Sequence, residues 1–217
     1  MRRGGSTQTF YGIRDRNGKD TVTPVLPTAG RSNLVQQSVI YENLGYQFTQ
    51  LINGSDVVTN TEGVRVTTNN AVADSKDGWY LNLPTSGERQ VSNPQLRAGK
   101  IEFTTLIPSG DACSAGGDSW LMVLDSLTGS RLTSTPFDNN KDGTFDRKDF
   151  VLVTINGEQV RMPLSGVKSK VGIVDNMVSV TNGEQEFIGD CGTTGNCEQR
   201  EGPAGILRGR QSWREIQ

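Results

Sequence analysis

Two-residue turn signals recur along this chain of 217 residues and leave little room for long helices. Asn-Gly occurs four times and Asp-Gly twice, at Asn17-Gly18, Asn53-Gly54, Asn156-Gly157, Asn182-Gly183, Asp77-Gly78 and Asp142-Gly143. These dipeptides favour type I′ turns, because both central residues of such a turn need positive φ. β-branched and aromatic runs flank three of them, so the sequence predicts β-hairpins at Asn53-Gly54, Asn156-Gly157 and Asn182-Gly183.

Further short runs rich in β-branched and aromatic residues predict additional strands. They are Val64–Thr67, Gly78–Leu83, Lys100–Leu106, Ser119–Leu124 and Gln211–Ile216. Only the stretch from Asn33 to Tyr41 has helical character, and its Val and Ile content fits a strand equally well. Many short strands with close turns indicate an all-β sandwich, barrel or propeller with less than about a tenth of its residues in helix.

The segment from Trp120 to Leu132 predicts a strand, a tight turn and a second strand. Its turn has the form Asp125-x-x-Thr128-Gly129, in which the aspartate can accept from turn amides and the glycine takes a left-handed conformation. This turn resembles those in the blades of quinoprotein-like β-propellers. An ordinary hairpin in another β fold is the alternative.

Composition excludes several classes of function. Histidine is absent, which rules out a Ser-His-Asp triad and any His-liganded zinc within this chain. The formal net charge is −2, and no aromatic series alternates with Lys or Arg, so nucleic acid is not an expected partner. No apolar run is long enough to span a membrane, and the N-terminus lacks a secretory signal. We therefore expect either a cytoplasmic chain or part of a longer exported protein.

The strongest chemical motif lies at residues 138–149 and fits the calcium-loop pattern D-x-[DN]-x-[DN]-G. Positions 1, 3 and 5 are Asp138, Asn140 and Asp142, followed by glycine at position 6. Thr144 would supply a backbone carbonyl and Asp146 stands at position 9. Position 12 is aspartate instead of the bidentate glutamate, and strands flank the loop instead of helices. The sequence predicts a free-standing Ca²⁺ loop; an Asx-rich turn without metal is the alternative.

Three cysteines leave an odd thiol under any single pairing. Cys191 and Cys197 are six residues apart across small residues, and we expect them to be bonded if the protein is exported. Cys113 is then the unpaired thiol. The run from Gly12 to Asp20 has the wrong spacing for a phosphate loop, and the basic C-terminal residues fit a solvated strand edge.

An ordered series of segments is similar to the C-terminal end of the PilY/PilC family of type IV pilus tip-associated proteins. The series is Gln8-Thr9-Phe10-Tyr11-Gly12-Ile13, Asp77-Gly78-Trp79-Tyr80-Leu81-Asn82-Leu83-Pro84, Gly87-Glu88-Arg89, Asn93-Pro94-Gln95-Leu96-Arg97, Phe103-Thr104-Thr105-Leu106-Ile107-Pro108, Asp111 to Met122, Leu124-Asp125 with Thr128-Gly129, and Gly209 to Ile216. No single segment is decisive, but their order is specific. The similarity extends from about residue 8 to the end of the chain.

The resemblance implies that residues 1–217 are the C-terminal part of an antiparallel, quinoprotein-like β-propeller, either as the last blades of a closed ring or as an incomplete ring. It also implies export, a location at the pilus tip, cell surface or outer membrane, and a loop that binds calcium through Asp138, Asn140, Asp142, Thr144 and Asp146. Implied roles are pilus assembly, calcium-dependent control of retraction, twitching motility and adhesion. Implied partners are minor pilins, the remainder of the tip protein, and a host or surface receptor.

These observations favour a non-enzymatic calcium-binding module. A quinoprotein-like enzyme is the first alternative, although the lack of histidine and the few aromatic residues count against a stacked redox cofactor. A carbohydrate-binding surface module that uses calcium structurally is the second. Bound quinone would be visible in an absorption spectrum, and glycan binding would identify the second alternative.

Overall fold

The computed structural model describes residues 7–14, 30–109 and 116–204. These ranges contain fourteen strands, two 3₁₀ turns of three residues each (Arg31–Asn33 and Arg147–Asp149) and no α-helix. The strands are β1 Thr9–Ile13, β2 Val35–Gln37, β3 Val39–Ile52, β4 Ser55–Thr67, β5 Gly78–Asn82, β6 Gln95–Arg97, β7 Lys100–Pro108, β8 Gly117–Asp125, β9 Val151–Ile155, β10 Glu158–Met162, β11 Gly166–Lys168, β12 Val174–Asn182, β13 Gln185–Gly192 and β14 Cys197–Pro203. The all-β class and the low helix content are confirmed.

The strands form four sheets. The largest has the order β3-β4-β11-β8-β7-β6, and the others are β1-β5-β2, β12-β13-β14 and β10-β9. The described ranges contain no closed ring of four-stranded blades, so the propeller architecture stays a prediction. The prediction of entirely antiparallel strand pairing is wrong for one pair of strands, because β2 pairs with β5 in parallel. The chain reverses direction between β3 and β4 and again before β5, so β5 runs in the same direction as β2.

Two of the three predicted hairpin turns form as expected. Asn53-Gly54 joins β3 to β4 and Asn156-Gly157 joins β9 to β10, with positive φ at both residues of each pair. The third hairpin forms one residue later, because Asn182 pairs with Gln185 and the turn is centred on Gly183 and Glu184. Only the glycine has positive φ there, which is the pattern of a type II′ turn. Asn17-Gly18 lies outside the described residues.

The aspartate turn after β8 is confirmed. Asp125 Oδ1 accepts from the backbone amides of Leu127 and Thr128 at 3.0 and 2.9 Å, and Gly129 has a φ of 67°. A Cβ at Gly129 would lie 2.1 Å from the Trp79 ring, so the glycine is required for packing as well as for the turn. The second strand predicted after this turn is wrong, since residues 130–132 form no strand.

Two apolar clusters hold the sheets together. The smaller is centred on Trp79, Phe103 and Trp120, and the larger extends from Phe48 of β3 to Ile188 of β13.

The stretch from Asn33 to Tyr41 contributes β2 and the start of β3, so of its two predicted forms the strand is confirmed. The strand predicted at Gln211–Ile216 lies outside the described residues. In the part of the chain that the structure covers, no helix is long and apolar enough to cross a membrane.

The Cys191–Cys197 disulfide is present and links β13 to β14, as predicted. Cys113 lies outside the described residues.

Ion pairs connect the C-terminal sheet β12-β13-β14 to the large sheet. Arg200 of β14 donates to Glu62 of β4 at 3.2 Å, and Lys170 donates to the same carboxylate at 2.8 Å. Glu198 pairs with Arg200 at 3.1 Å.

Asp190 of β13 is the least compensated charge in this C-terminal cluster. It pairs across the sheet with Glu198, is 3% exposed, and both of its carboxylate oxygens are buried. Burial and then the charge of Glu198 raise the pKa of Asp190 to about 7. Deprotonation of this carboxyl group therefore opposes folding.

We expect the Asp190→Asn variant to lose less stability than the wild type as the pH rises. With a folded pKa of about 7 against the ordinary value of 3.8, the folded protein binds more protons than the unfolded chain between these limits, so stability falls as the pH rises through them. The variant should be more stable than the wild type at pH 8 by about 1–3 kcal/mol. Urea unfolding at pH 5 and pH 8 measures this, with the exposed carboxylate of Asp56→Asn as control. Parallel pH profiles for Asp190→Asn and wild type would contradict the assignment.

Candidate metal centre

The candidate calcium loop, residues 138–149, lies between the buried Phe137 and strand β9, and a 3₁₀ turn over Arg147–Asp149 closes it. Its entry is fixed to the C-terminal sheet, because Asp138 N donates to Glu201 O of β14 at 2.8 Å. Gly143 has a φ of 78°, as expected for the glycine of a sharp turn. The loop thus begins at a backbone contact with β14 and ends immediately before β9.

Four of the five predicted ligand residues contact one another directly. Asp138 accepts from the backbone amides of Asp142 and Gly143 at 3.2 and 2.8 Å. Asn140 Nδ2 donates to Asp142 Oδ2 at 3.1 Å, and the backbone amide of Thr144 donates to Asp142 Oδ1 at 2.9 Å. These contacts fold the first seven loop residues into a compact, oxygen-rich turn.

Asp146, the fifth predicted ligand, is joined to the others through a lysine. Lys148 Nζ lies 3.2 Å from Asp142 Oδ2 and 3.6 Å from Asp146 Oδ2. These two aspartates raise the pKa of Lys148. Burial alone would raise the pKa of Asp142, but hydrogen bonds from Thr144, Asn140 and Lys148 outweigh it and lower the pKa to about 2.

Asp149, at position 12, organises the loop from inside. Its Oδ1 accepts from the amides of Asn139 and Asn140 at 2.7 and 3.1 Å, and its Oδ2 accepts from Asp146 N at 3.1 Å. The residue is fully buried, and burial raises the pKa of its carboxyl group to about 6 against the opposing effect of these amides. Both oxygens are thus occupied by the backbone, a role that the sequence pattern does not reveal.

The β3–β4 hairpin also contacts the loop, through residues that no sequence motif predicts. Gln50 Nε2 and Thr59 Oγ1 donate to the carbonyl of Asn140 at 2.7 and 2.6 Å. Asn60 Nδ2 donates to the carbonyl of Asn139 at 3.0 Å. Only the Asn-Gly turn between these strands was visible in the sequence, and it predicted the hairpin but not what the hairpin contacts.

The donor set fits a hard cation in its chemistry. Every predicted ligand atom is oxygen, and three carboxylates lie within nine residues. In this structure those carboxylates point to backbone amides and to Lys148, and among the described residues no three acidic or cysteine side chains already converge as a metal cluster. Binding an ion would therefore exchange internal contacts for metal–oxygen contacts.

Comparison with known proteins identifies the relatives of this chain. No protein-family profile matches it. It is 26% identical over 221 residues to the type IV pilus biogenesis factor PilY1 of Pseudomonas aeruginosa strain PAO1, covering 97% of the chain and 17% of that protein. The chain is homologous to PilY1. Two PilY1 homologues of Xylella fastidiosa strain Temecula1 are 31% identical over 135 residues and 29% identical over 215 residues, covering 55% and 96% of the chain and 8% and 15% of those proteins.

The fold agrees with this homology. The crystal structure of the PilY1 C-terminal domain from Pseudomonas aeruginosa superposes with a TM-score of 0.67 at 22% sequence identity. The match covers 91% of this chain and 37% of the PilY1 domain. The chain therefore has the fold of part of that domain, and it spans about a sixth of the length of PilY1 itself.

Proposed function

We propose that this chain is a non-enzymatic, calcium-binding module of a PilY1-like protein that acts in type IV pilus biogenesis. The observation that carries the proposal is an oxygen-rich loop, fixed at both ends and along its side, within a chain homologous to PilY1. The proposed roles are pilus assembly, calcium-dependent control of retraction, and surface adhesion or twitching motility. Its partners would be minor pilins, the remainder of the tip protein and a surface receptor, at the pilus tip, cell surface or outer membrane.

Calcium is the ion that this loop suits best. The side chains of Asp138, Asn140, Asp142 and Asp146, with the carbonyl of Thr144, supply only oxygen donors. Calcium accepts six to eight oxygens in irregular arrangements, whereas magnesium requires a small, near-octahedral cage. Because position 12 lacks a glutamate and Asp149 is occupied by backbone amides, we expect weak binding, with a Kd of about 10⁻⁵ to 10⁻³ M.

Support from the surrounding structure makes the loop a suitable site for such binding. Asp149 and the β3–β4 hairpin together fix the backbone of Asn139 and Asn140 without using the carboxylates of the proposed ligands. The ion therefore has to reorient side chains but not to fold the segment. Bound calcium would supply charge neutralisation of the carboxylates and would connect the hairpin, the loop and β14 more rigidly.

We expect calcium to raise the melting temperature of the protein and Asp138→Asn to abolish this rise. Binding to the folded state adds about 2.7 kcal/mol at a hundredfold excess over Kd. The amide keeps one oxygen to accept from the backbone, so the calcium-free variant should remain folded. Titration calorimetry and thermal unfolding with and without calcium measure the effect, and magnesium should not replace calcium.

Asp118→Asn is the matched control, because this carboxylate is half exposed and pairs with Lys168 outside the loop. It should retain the full calcium response. If calorimetry detected no binding to the wild-type protein at several millimolar calcium, the proposed calcium site would be contradicted. Asp138→Asn in the chromosomal gene should also reduce surface pili or twitching; unchanged piliation and motility would contradict a calcium-dependent role.

A further inference from the structure

Lys148 occupies a distinctive position among the cations of the candidate calcium loop. Its ammonium group lies between the carboxylates of Asp142 and Asp146, at 3.2 and 3.6 Å, and its side chain is 64% exposed. Lys141 carries the same charge in the same loop, but among the described residues it forms no ion pair. The loop therefore contains one lysine that neutralises the proposed ligands and one that does not.

We propose that Lys148 is a built-in competitor for the calcium site, whose ammonium must leave Asp142 and Asp146 before the ion can bind through them. This inference rests on the proposed function and concerns the regulation of that site. It makes binding an exchange of cations: the divalent ion enters and the tethered ammonium moves into solvent.

The position of the lysine has two physical consequences. In the calcium-free protein its charge offsets the repulsion between neighbouring carboxylates, so the loop stays folded without the ion. In the calcium-bound protein the same charge stands close to a divalent cation and opposes it. Both effects weaken the apparent affinity for calcium and shift binding towards higher calcium concentrations.

Competition can be tested with two lysine variants of the whole chain. Lys148→Gln removes the competing charge and keeps a polar side chain, while Lys141→Gln removes an equal charge from the same loop without removing an ion pair. Titration calorimetry should show that Lys148→Gln binds calcium roughly three- to tenfold more tightly than the wild type, the range expected for losing one or two exposed ion pairs. Lys141→Gln should change the affinity less than twofold.

Thermal unfolding supplies an independent signature. Without calcium, Lys148→Gln should melt at a lower temperature than the wild type, and with saturating calcium the difference should disappear. Equal affinity gains in the two variants would overturn the inference, because a general change in loop charge would then explain them. If the wild type and Lys148→Gln bound calcium with the same affinity, this inference alone would be overturned. If neither the wild type nor Lys148→Gln bound calcium, the proposed function would be overturned as well.

Discussion

Arg65→Met is expected to destabilise the protein by about 3–5 kcal/mol, because it leaves a buried carboxylate without its cation. Arg65 Nη1 and Nη2 donate to Glu88 at 2.6 and 3.0 Å, and both side chains are fully buried. Its Nε donates to Glu42 at 2.7 Å, and its guanidinium lies 3.9 Å from the centre of the Trp120 ring. Urea unfolding at pH 7 measures the loss.

The double variant Arg65→Met/Glu88→Met separates pairing from packing. If the destabilisation of the single variant comes from an uncompensated charge, removing both charges should restore part of the lost stability. The half-exposed pair of Lys168 and Asp118 is the control, and Lys168→Met should cost less than about 1 kcal/mol. If the double variant lost as much stability as Arg65→Met and Glu88→Met lose when their separate losses are added, this account would be contradicted.

Asp149→Ala is expected to cost about 3–4 kcal/mol in the absence of calcium, because it leaves three backbone amides without their acceptor. Those amides belong to Asn139, Asn140 and Asp146, and the first two are buried. The variant should also lose calcium binding, since the loop backbone would no longer be held. Unfolding in the presence of a calcium chelator isolates the structural part of the effect.

Asp146→Ala is the comparison within the same loop. This carboxylate is about half exposed and caps the 3₁₀ turn, accepting from the backbone amide of Lys148 at 2.7 Å. Its loss should cost about 1 kcal/mol without calcium, the usual cost of losing a helix-capping side chain. If Asp149→Ala and Asp146→Ala were equally stable in chelator, Asp149 would not be the organising residue of the loop.

Local features of the fold could be predicted because their causes lie within a few residues. The turns at Asn53-Gly54 and Asn156-Gly157 and the Asp125 turn depend on backbone conformation and on contacts between near neighbours. The hairpin at Gly183 shows the limit of such reasoning: the hairpin forms, but its register is displaced by one residue. Register depends on how the whole strand packs, which a turn dipeptide does not encode.

The candidate site divides in the same way. The spacing of Asp138, Asn140, Asp142 and Asp146 was visible in the sequence, because a calcium loop takes its ligands from alternate positions of one short segment. The support from Gln50, Thr59 and Asn60 was not visible, since these residues lie 79 to 90 positions from the carbonyls they contact. A motif of twelve residues contains no information about them.

By itself, the sequence determined that this chain is built from β-strands, where two of its hairpins turn, and which short segment carries an oxygen-rich loop. The tertiary structure decided the parallel pairing of β2 with β5, the burial of Arg65 against Glu88, and the inward role of Asp149. Charged side chains are ordinarily assigned to the surface, and only a partner brought close by the folded chain makes their burial favourable. Those partners come from different strands and loops, so their meeting depends on the arrangement of the sheets and not on the residues beside them in the chain.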